Sequence, residues 1–225
     1  MIEYKNVSLA DKVYDQLEYN ILSGKYPIGE IISEKRLSEE LGVSRTPIRE
    51  AMTRLFHEKL IKESKNGTEV IGVTVKDVKD LFEVKRRIET VVIRRAVENI
   101  TEDELKRLKD NLDQQEFYAQ KNDTVKVRDL DTEFHDVIYK ACGSIVFDSI
   151  LSPIHHKMMK FRRVSLEKAH RIIDSVGEHK AIYEAIRDRD ADKAESLMLI
   201  HIDHAFTNIM EVSKQYGTDN STENN

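Results

Sequence analysis

Four side chains in the second half of the sequence stand out by type and position as candidates for metal chemistry: Asp131, His135, His179 and His201. Asp131 and His135 are four apart, so on a helix they project from one face, as two ligands of a single ion must. His179 shares a helical stripe with Ile182, Ala185 and Ile186, and His201 lies among Leu197, Met198, Ile202 and Ala205, so both face, or nearly face, the interior. Three imidazoles and one carboxylate suit zinc and also nickel or manganese, and ligand type alone does not choose among them. The plain alternative is a set of separate, hydrogen-bonded core residues, because sequence does not show that the helices carrying them converge. With an open coordination position such an ion could activate water, the route of a metal-dependent hydrolase. No H-E-x-x-H occurs, and Glu178, adjacent to His179, points in a different direction on a helix. His57, His155, His156 and His170 carry no comparable spacing and read as surface or core residues, and His204, three from His201, either supports a ligand from behind or, the simpler reading, is packed.

A different chemistry sits near the N-terminus. The stretch from Ser33 to Leu55, SEKRLSEELGVSRTPIREAMTRL, reads as two short helices joined by a tight turn. Leu37 and Leu41 recur at helical spacing, and Gly42 ends the first helix where positive φ is usual. Ser44 is placed to cap the second, and Pro47 falls in its first turn, where a missing N–H has no intrahelical partner to lose. Ile48, Ala51, Met52 and Leu55 then face inward, leaving Arg45, Thr46 and Arg49 on the outer face near the N-terminus. That is the layout of a helix-turn-helix, whose second helix offers its first residues to base edges, with arginine shaped to pair bidentately with guanine.

These elements sit in a chain of 225 residues, 40% hydrophobic and 34% charged, with eight glycines and three prolines, as expected of one or two helix-rich globular domains. No apolar run approaches membrane-spanning length, and the start, MIEYKNVSLADKVY, lacks the apolar core of a signal peptide, so a cytoplasmic protein is expected. The lone Cys142 excludes an internal disulfide and reads as packing. A net charge of −5 argues against a generally sticky nucleic-acid binder, and residues 1–73 hold 11 lysines and arginines against 12 carboxylates. DNA binding must therefore be focused on a small face, with the acids turned away or on other elements.

In chain order, Leu9, Val13, Leu17, Ile21 and Leu22 make a one-sided helix, and GKYPIGE is a turn-rich connector. After Leu55, LIKES and EVIGVTV flank an Asn-Gly turn and read as a hairpin. Three helices and a hairpin form a winged helix, with Gly67 at the wing tip, where a missing side chain lets backbone approach a groove. The segment VYDQLEYNILSGKYPIGEIISEKRLSEELGVSRTPIREAMTRL resembles the N-terminal domain of the GntR family of bacterial transcriptional regulators, LGVSRTPIREA being its most specific part. By that resemblance, Lys35, Arg45, Thr46, Arg49 and Gly67 contact DNA. Two positions depart from the family pattern: Pro27-Ile28-Gly29 replaces an adjacent Pro-Gly, and Lys59 stands where a glycine commonly precedes Leu-Ile.

From Thr74 onward the pattern is helical throughout. Leu81, Val84, Ile88, Val91, Val92 and Arg95 mark a first helix, Thr101 with Glu104 caps a second, and Asp123 opens a third carrying Leu130, Phe134, Val137 and Ile138. A fourth, from about Ser144 to Val164, contains Pro153, which should kink or split it. Ser175 with Glu178 is read as the cap of a fifth, and Asp190 opens the last, near whose end at Tyr216 a polar, disordered tail, residues 217–225, begins. The expected organisation is therefore mainly α: a winged helix-turn-helix over 1–73 and an all-α bundle over 74–216.

The run D-x-x-F-H, then S-x-x-E-H-x-x-I-Y-x-A-I, then a late histidine on the last helix resembles the FCD ligand-binding domain of the FadR-like branch of GntR regulators. What the resemblance implies is a divalent metal, zinc foremost, held by Asp131, His135, His179 and His201. It also implies a small organic acid effector gripped by a cation on the domain's first helix, a position that falls on Lys85 with Arg86 beside it. The function expected is that of a homodimeric regulator, a repressor by family habit, on palindromic double-stranded DNA, with a metal-dependent hydrolase as the alternative.

Overall fold

The computed structural model describes residues 8–165 and 171–215. The expected tail over 217–225 and His170 lie outside them. The chain divides into two compact units, one ending at Thr74 and the other beginning at Val75.

The first unit begins with α1 (Leu9–Leu22), whose N-terminus is closed by reciprocal hydrogen bonds between Ser8 and Asp11. There follow β1 (Ile31–Ile32), α2 (Glu34–Leu41), α3 (Arg45–His57), β2 (Ile61–Ser64) and β3 (Gly67–Val70). Leu17 and Ile21 of α1, Leu37 of α2, and Ile48, Ala51 and Leu55 of α3 form one core. Arg54 ties α3 to α1 by reaching Asp11 at 2.8 Å while lying 3.7 Å from the Tyr14 ring centroid. Gly42 takes φ +65° at the end of α2.

Two local expectations change. Ser44 occupies the cap position of α3, but its side chain makes no capping bond. Pro47 stands three residues on, where the N–H that such a cap would engage is missing. The wing also has a third strand: β1 pairs antiparallel with β3, giving the order β1-β3-β2. Two residues are too short a run for apolar alternation to reveal.

The second unit is helical: α4 (Val75–Asn99), α5 (Glu102–Gln120), α6 (Thr124–Ala141), α7 (Ile145–Ser165), α8 (Arg171–Arg187) and α9 (Ala191–Gln215). The capping box at Thr101 and Glu104 starts α5, and the Asp123 carboxylate accepts from Lys126 N–H at the start of α6. Helix α7 runs on through Pro153 without splitting.

Two readings of this unit are overturned. Helix α8 begins at Arg171, so Ser175 and Glu178 lie inside it; Ser175 is buried, and Glu178 binds histidines of α9 instead of closing a helix end. On α4 the buried face is Phe82, Lys85, Glu89, Val92, Ile93 and Ala96, while Val84 and Val91 of the expected stripe are exposed. Periodicity followed the apolar residues to the outside, because the inward face carries an ion pair, Lys85 with Glu89, whose charges cancel.

Candidate metal centre and nucleic-acid interface

Every helix of the second unit contributes to one polar cluster in its interior. Asp131, His135 and Tyr139 come from α6, His179 from α8 and His201 from α9, each at most 2% exposed. Ring nitrogens of His135, His179 and His201 lie within 4.8 Å of one another. Asp131 joins them, with Oδ1 3.8 Å from His179 Nε2. Phe134, one residue before His135, stacks on the His179 ring at 4.5 Å and fixes its plane.

What each ring can offer follows from the partner of its Nδ1. His179 Nδ1 is 2.9 Å from Gln115 Oε1, and Gln115 donates its amide N–H to Asn111 Oδ1, so the oxygen is turned to the histidine. His201 Nδ1 is 2.7 Å from Glu178 Oε2, and His135 Nδ1 faces Glu89 Oε1 at 3.5 Å. All three partners are acceptors, so each Nδ1 carries the hydrogen and each Nε2 keeps its lone pair. Carboxylate or amide oxygen behind Nδ1 is the usual support of a metal-binding histidine. In the fully buried His135, Nε2 has no hydrogen-bond partner, a state that is costly unless something accepts its lone pair. A divalent ion held by Asp131, His135, His179 and His201 fits this set.

Burial pushes the His135 imidazole well below its ordinary range, with the charge of Lys85 adding to it, so the ring is in the uncharged form that binds metal. Burial works the other way on Glu89, raising it, but the Lys85 ammonium and His135 outweigh this and hold its carboxyl well below the usual range.

One sequence reading needs correction at this site, and two other positions are placed by the structure. His155, set aside on spacing, is 3% exposed and belongs to the cluster: its Nε2 is 3.4 Å from Asp131 Oδ2 and its ring 4.3 Å from that of His135. Leu151 and Met158, four before it and three after, are both buried, and that spacing was the available signal. Lys85 is enclosed: its ammonium meets Glu89 Oε1 at 2.5 Å, Tyr139 Oη at 3.0 Å and His155 Nδ1 at 3.3 Å. Arg86 turns the other way, onto Asp203 at the surface, so the structure does not bring it together with Lys85.

In the first unit, Lys35, Arg45, Thr46 and Arg49 are all exposed, in the N-terminal halves of α2 and α3. Arg49 joins the two helices through a two-pronged pair with Glu34, at 2.9 and 2.8 Å. The hydrogen-bonded Arg49 fork keeps the Glu34 carboxyl below its ordinary range, and Arg45 adds to this. An acid of the neighbouring helix α2 thus stands beside the basic residues of α3 and pairs with one of them. Gly67 begins β3 at φ +129°, and a β-carbon there would come within 3.1 Å of Ile31 Cγ2. Its need for glycine is therefore set by the sheet, whatever else approaches it.

Residues 9–70 match the family described as bacterial regulatory proteins, gntR family, and residues 80–204, more than half of the chain, match the FCD domain. The chain is a gntR-family transcriptional regulator with an FCD domain. A Bacillus subtilis (strain 168) gluconate operon transcriptional repressor is 28% identical, over 89% of this chain and 83% of its own. The HTH-type transcriptional repressor RspR of Escherichia coli (strain K12) is 24% identical, over 91% and 90%. Among solved structures, E. coli McbR/YncC has the same fold, with a TM-score of 0.70 at 20% identity, covering 94% of this regulator and all of that chain. Neither these relatives nor the two families are enzymes, and the hydrolase alternative finds no support among them. No helix among the described residues is long and apolar enough to cross a membrane.

Proposed function

We propose that this regulator represses transcription by binding a palindromic operator as a homodimer, and that a small carboxylate bound beside a divalent metal in the FCD domain alters operator affinity. The observation that carries the metal reading is the shared orientation of His135, His179 and His201, each with an acceptor behind Nδ1. A bound dication supplies Lewis-acid attraction for an acid's oxygen. Repression is favoured by the names of two relatives, the gluconate operon repressor and RspR. Lys35, Arg45, Thr46 and Arg49 are the proposed contacts with bases and phosphates, and Gly67 the wing's approach to the duplex.

The dimer face we propose is the outer side of α4. Leu81, Val84, Ile88 and Val91 follow at spacings of three, four and three, the seam of two packed helices, with Val84 38% and Val91 43% exposed. Turning a second copy end for end about a point between Arg87 and Ile88 sets Val84 against the copy's Val91 and Asp80 against its Arg95, with Leu81 and Ile88 against the aliphatic stems of its Arg94 and Arg87.

The test uses purified full-length protein and a duplex selected by it from a random pool. Elemental analysis should find one divalent ion per chain in the wild type and a loss in His135→Ala, while Arg49→Ala keeps the ion and loses selective duplex binding. Wild-type protein without metal, or Arg49→Ala with unchanged selectivity, contradicts the reading.

A further inference from the structure

Two overlapping donor sets exist in the cluster, His135 with His179 and His201, and Asp131 with His135 and His155. They are not equivalent. An ammonium only donates, so Lys85, 3.3 Å from His155 Nδ1, makes that nitrogen the acceptor. The neutral ring then carries its hydrogen on Nε2, the reverse of the other three histidines, and a protonated nitrogen has no lone pair for a metal. Lys85 is itself fixed, by Glu89 at 2.5 Å and Tyr139 at 3.0 Å, with Tyr139 also donating to Glu89. His155 Nε2, in a ring only 3% exposed, makes no well-formed hydrogen bond: its nearest acceptor is Asp131 Oδ2 at 3.4 Å, on the Asp131 side of the centre, so a closer carboxylate oxygen can take its hydrogen.

We infer that His155 is the anion-recognition group of this centre and not one of its metal ligands, presenting Nε2–H to a monocarboxylate bound beside the metal. This rests on the metal-and-acid reading above and replaces the cation expected on α4 with a neutral donor on α7. The class of acid follows from charge. Lys85 and Glu89 cancel, and Asp131 offsets half of a dication, leaving one buried positive charge for one carboxylate to match. Glu178 stands at the rim, shared between His201 and the exposed His204, and adds no cation that would hold a second carboxylate.

The test uses the zinc-loaded full-length chain, with acetate and succinate as probes, titrated calorimetrically, and nitrogen NMR of the imidazoles to read which ring nitrogen carries the hydrogen. The wild type should bind one zinc and acetate more tightly than succinate, with His155 protonated on Nε2 and the other three on Nδ1. His155→Leu should keep the zinc and lose acetate affinity about tenfold or more, and His155→Gln, whose amide N–H can donate, should keep zinc and recover much of that affinity. Helical content measured alongside checks that each variant is folded. Zinc lost from His155→Leu, acetate affinity unchanged in it, succinate preferred, or a hydrogen on His155 Nδ1 each overturns the inference while leaving the metal reading standing. Failure of the wild type to take up zinc, or to bind acetate once loaded, overturns the reading itself and this inference with it.

Discussion

The buried imidazoles give the metal-free protein a pH signature. Burial, reinforced by the Lys85 charge, pushes His155 down to about 4, against an ordinary 6.5. Between those values the unfolded chain takes up a proton that the folded chain refuses, so stability is greatest above pH 6.5 and is lost as pH falls toward 4. The full effect is about 3 kcal/mol for this one ring, with His135 acting in the same direction. Urea unfolding of chelator-treated protein at pH 7 and pH 5 checks it, and equal midpoints contradict it. At the interface, Glu34 competes with phosphate for Arg49. Glu34→Gln should steepen the dependence of log affinity on log salt by about one and raise binding to unselected duplex. An unaltered slope means that Arg49 never leaves its carboxylate. Residue-scale legibility divides in the same way. Asp131 and His135 could be read because both lie on one helix, whereas the states of His155 and Lys85 depend on atoms brought by other helices.

Among elements, the ones whose signals are local were readable: the turn at Gly42, the capping box of α5, the inward stripe of α3 and the hairpin. Failures came where tertiary partners redirect a local signal. Ser175 and Glu178 match a capping box, yet α8 begins before them, and Glu178 is engaged by His201 and His204. Strand β1 has no signal of its own and exists through its ladder to β3, which also explains the close approach of Ile31 to Gly67. Gly67→Ala should therefore destabilise the first unit even without DNA, by about 1–3 kcal/mol, from a side chain at φ +129° and contact with Ile31. Urea unfolding of the full chain, followed by a probe in the first unit, measures this. Unchanged stability with weakened duplex binding would return Gly67 to a purely DNA-facing role.

At the scale of the whole molecule, the same misreading of α4 becomes informative. A stripe that looks like a core face but lies outside one copy is what an interface between copies requires, since each copy leaves apolar surface that only another covers. Arg95 at one end of the stripe lies 5.1 Å over the ring of Phe147 on α7, and Ile145 and Val146 beside it are exposed, so the apolar face continues onto a second helix. Val84→Glu with Val91→Glu places like charges opposite one another across the proposed two-fold axis, without touching Asp131 or the histidines. That double variant should sediment as a monomer at concentrations where the wild type is a dimer, keep one metal per chain, and bind a palindromic duplex no better than a single half-site. The last comparison separates an interface from a folding defect: a misfolded chain loses metal and half-site binding together, whereas a folded monomer loses only the advantage of the second half-site, which the dimer gains by effective concentration. A double variant that remains dimeric moves the contact off α4, and metal retention in that case shows that the bundle, and the centre inside it, do not depend on this face.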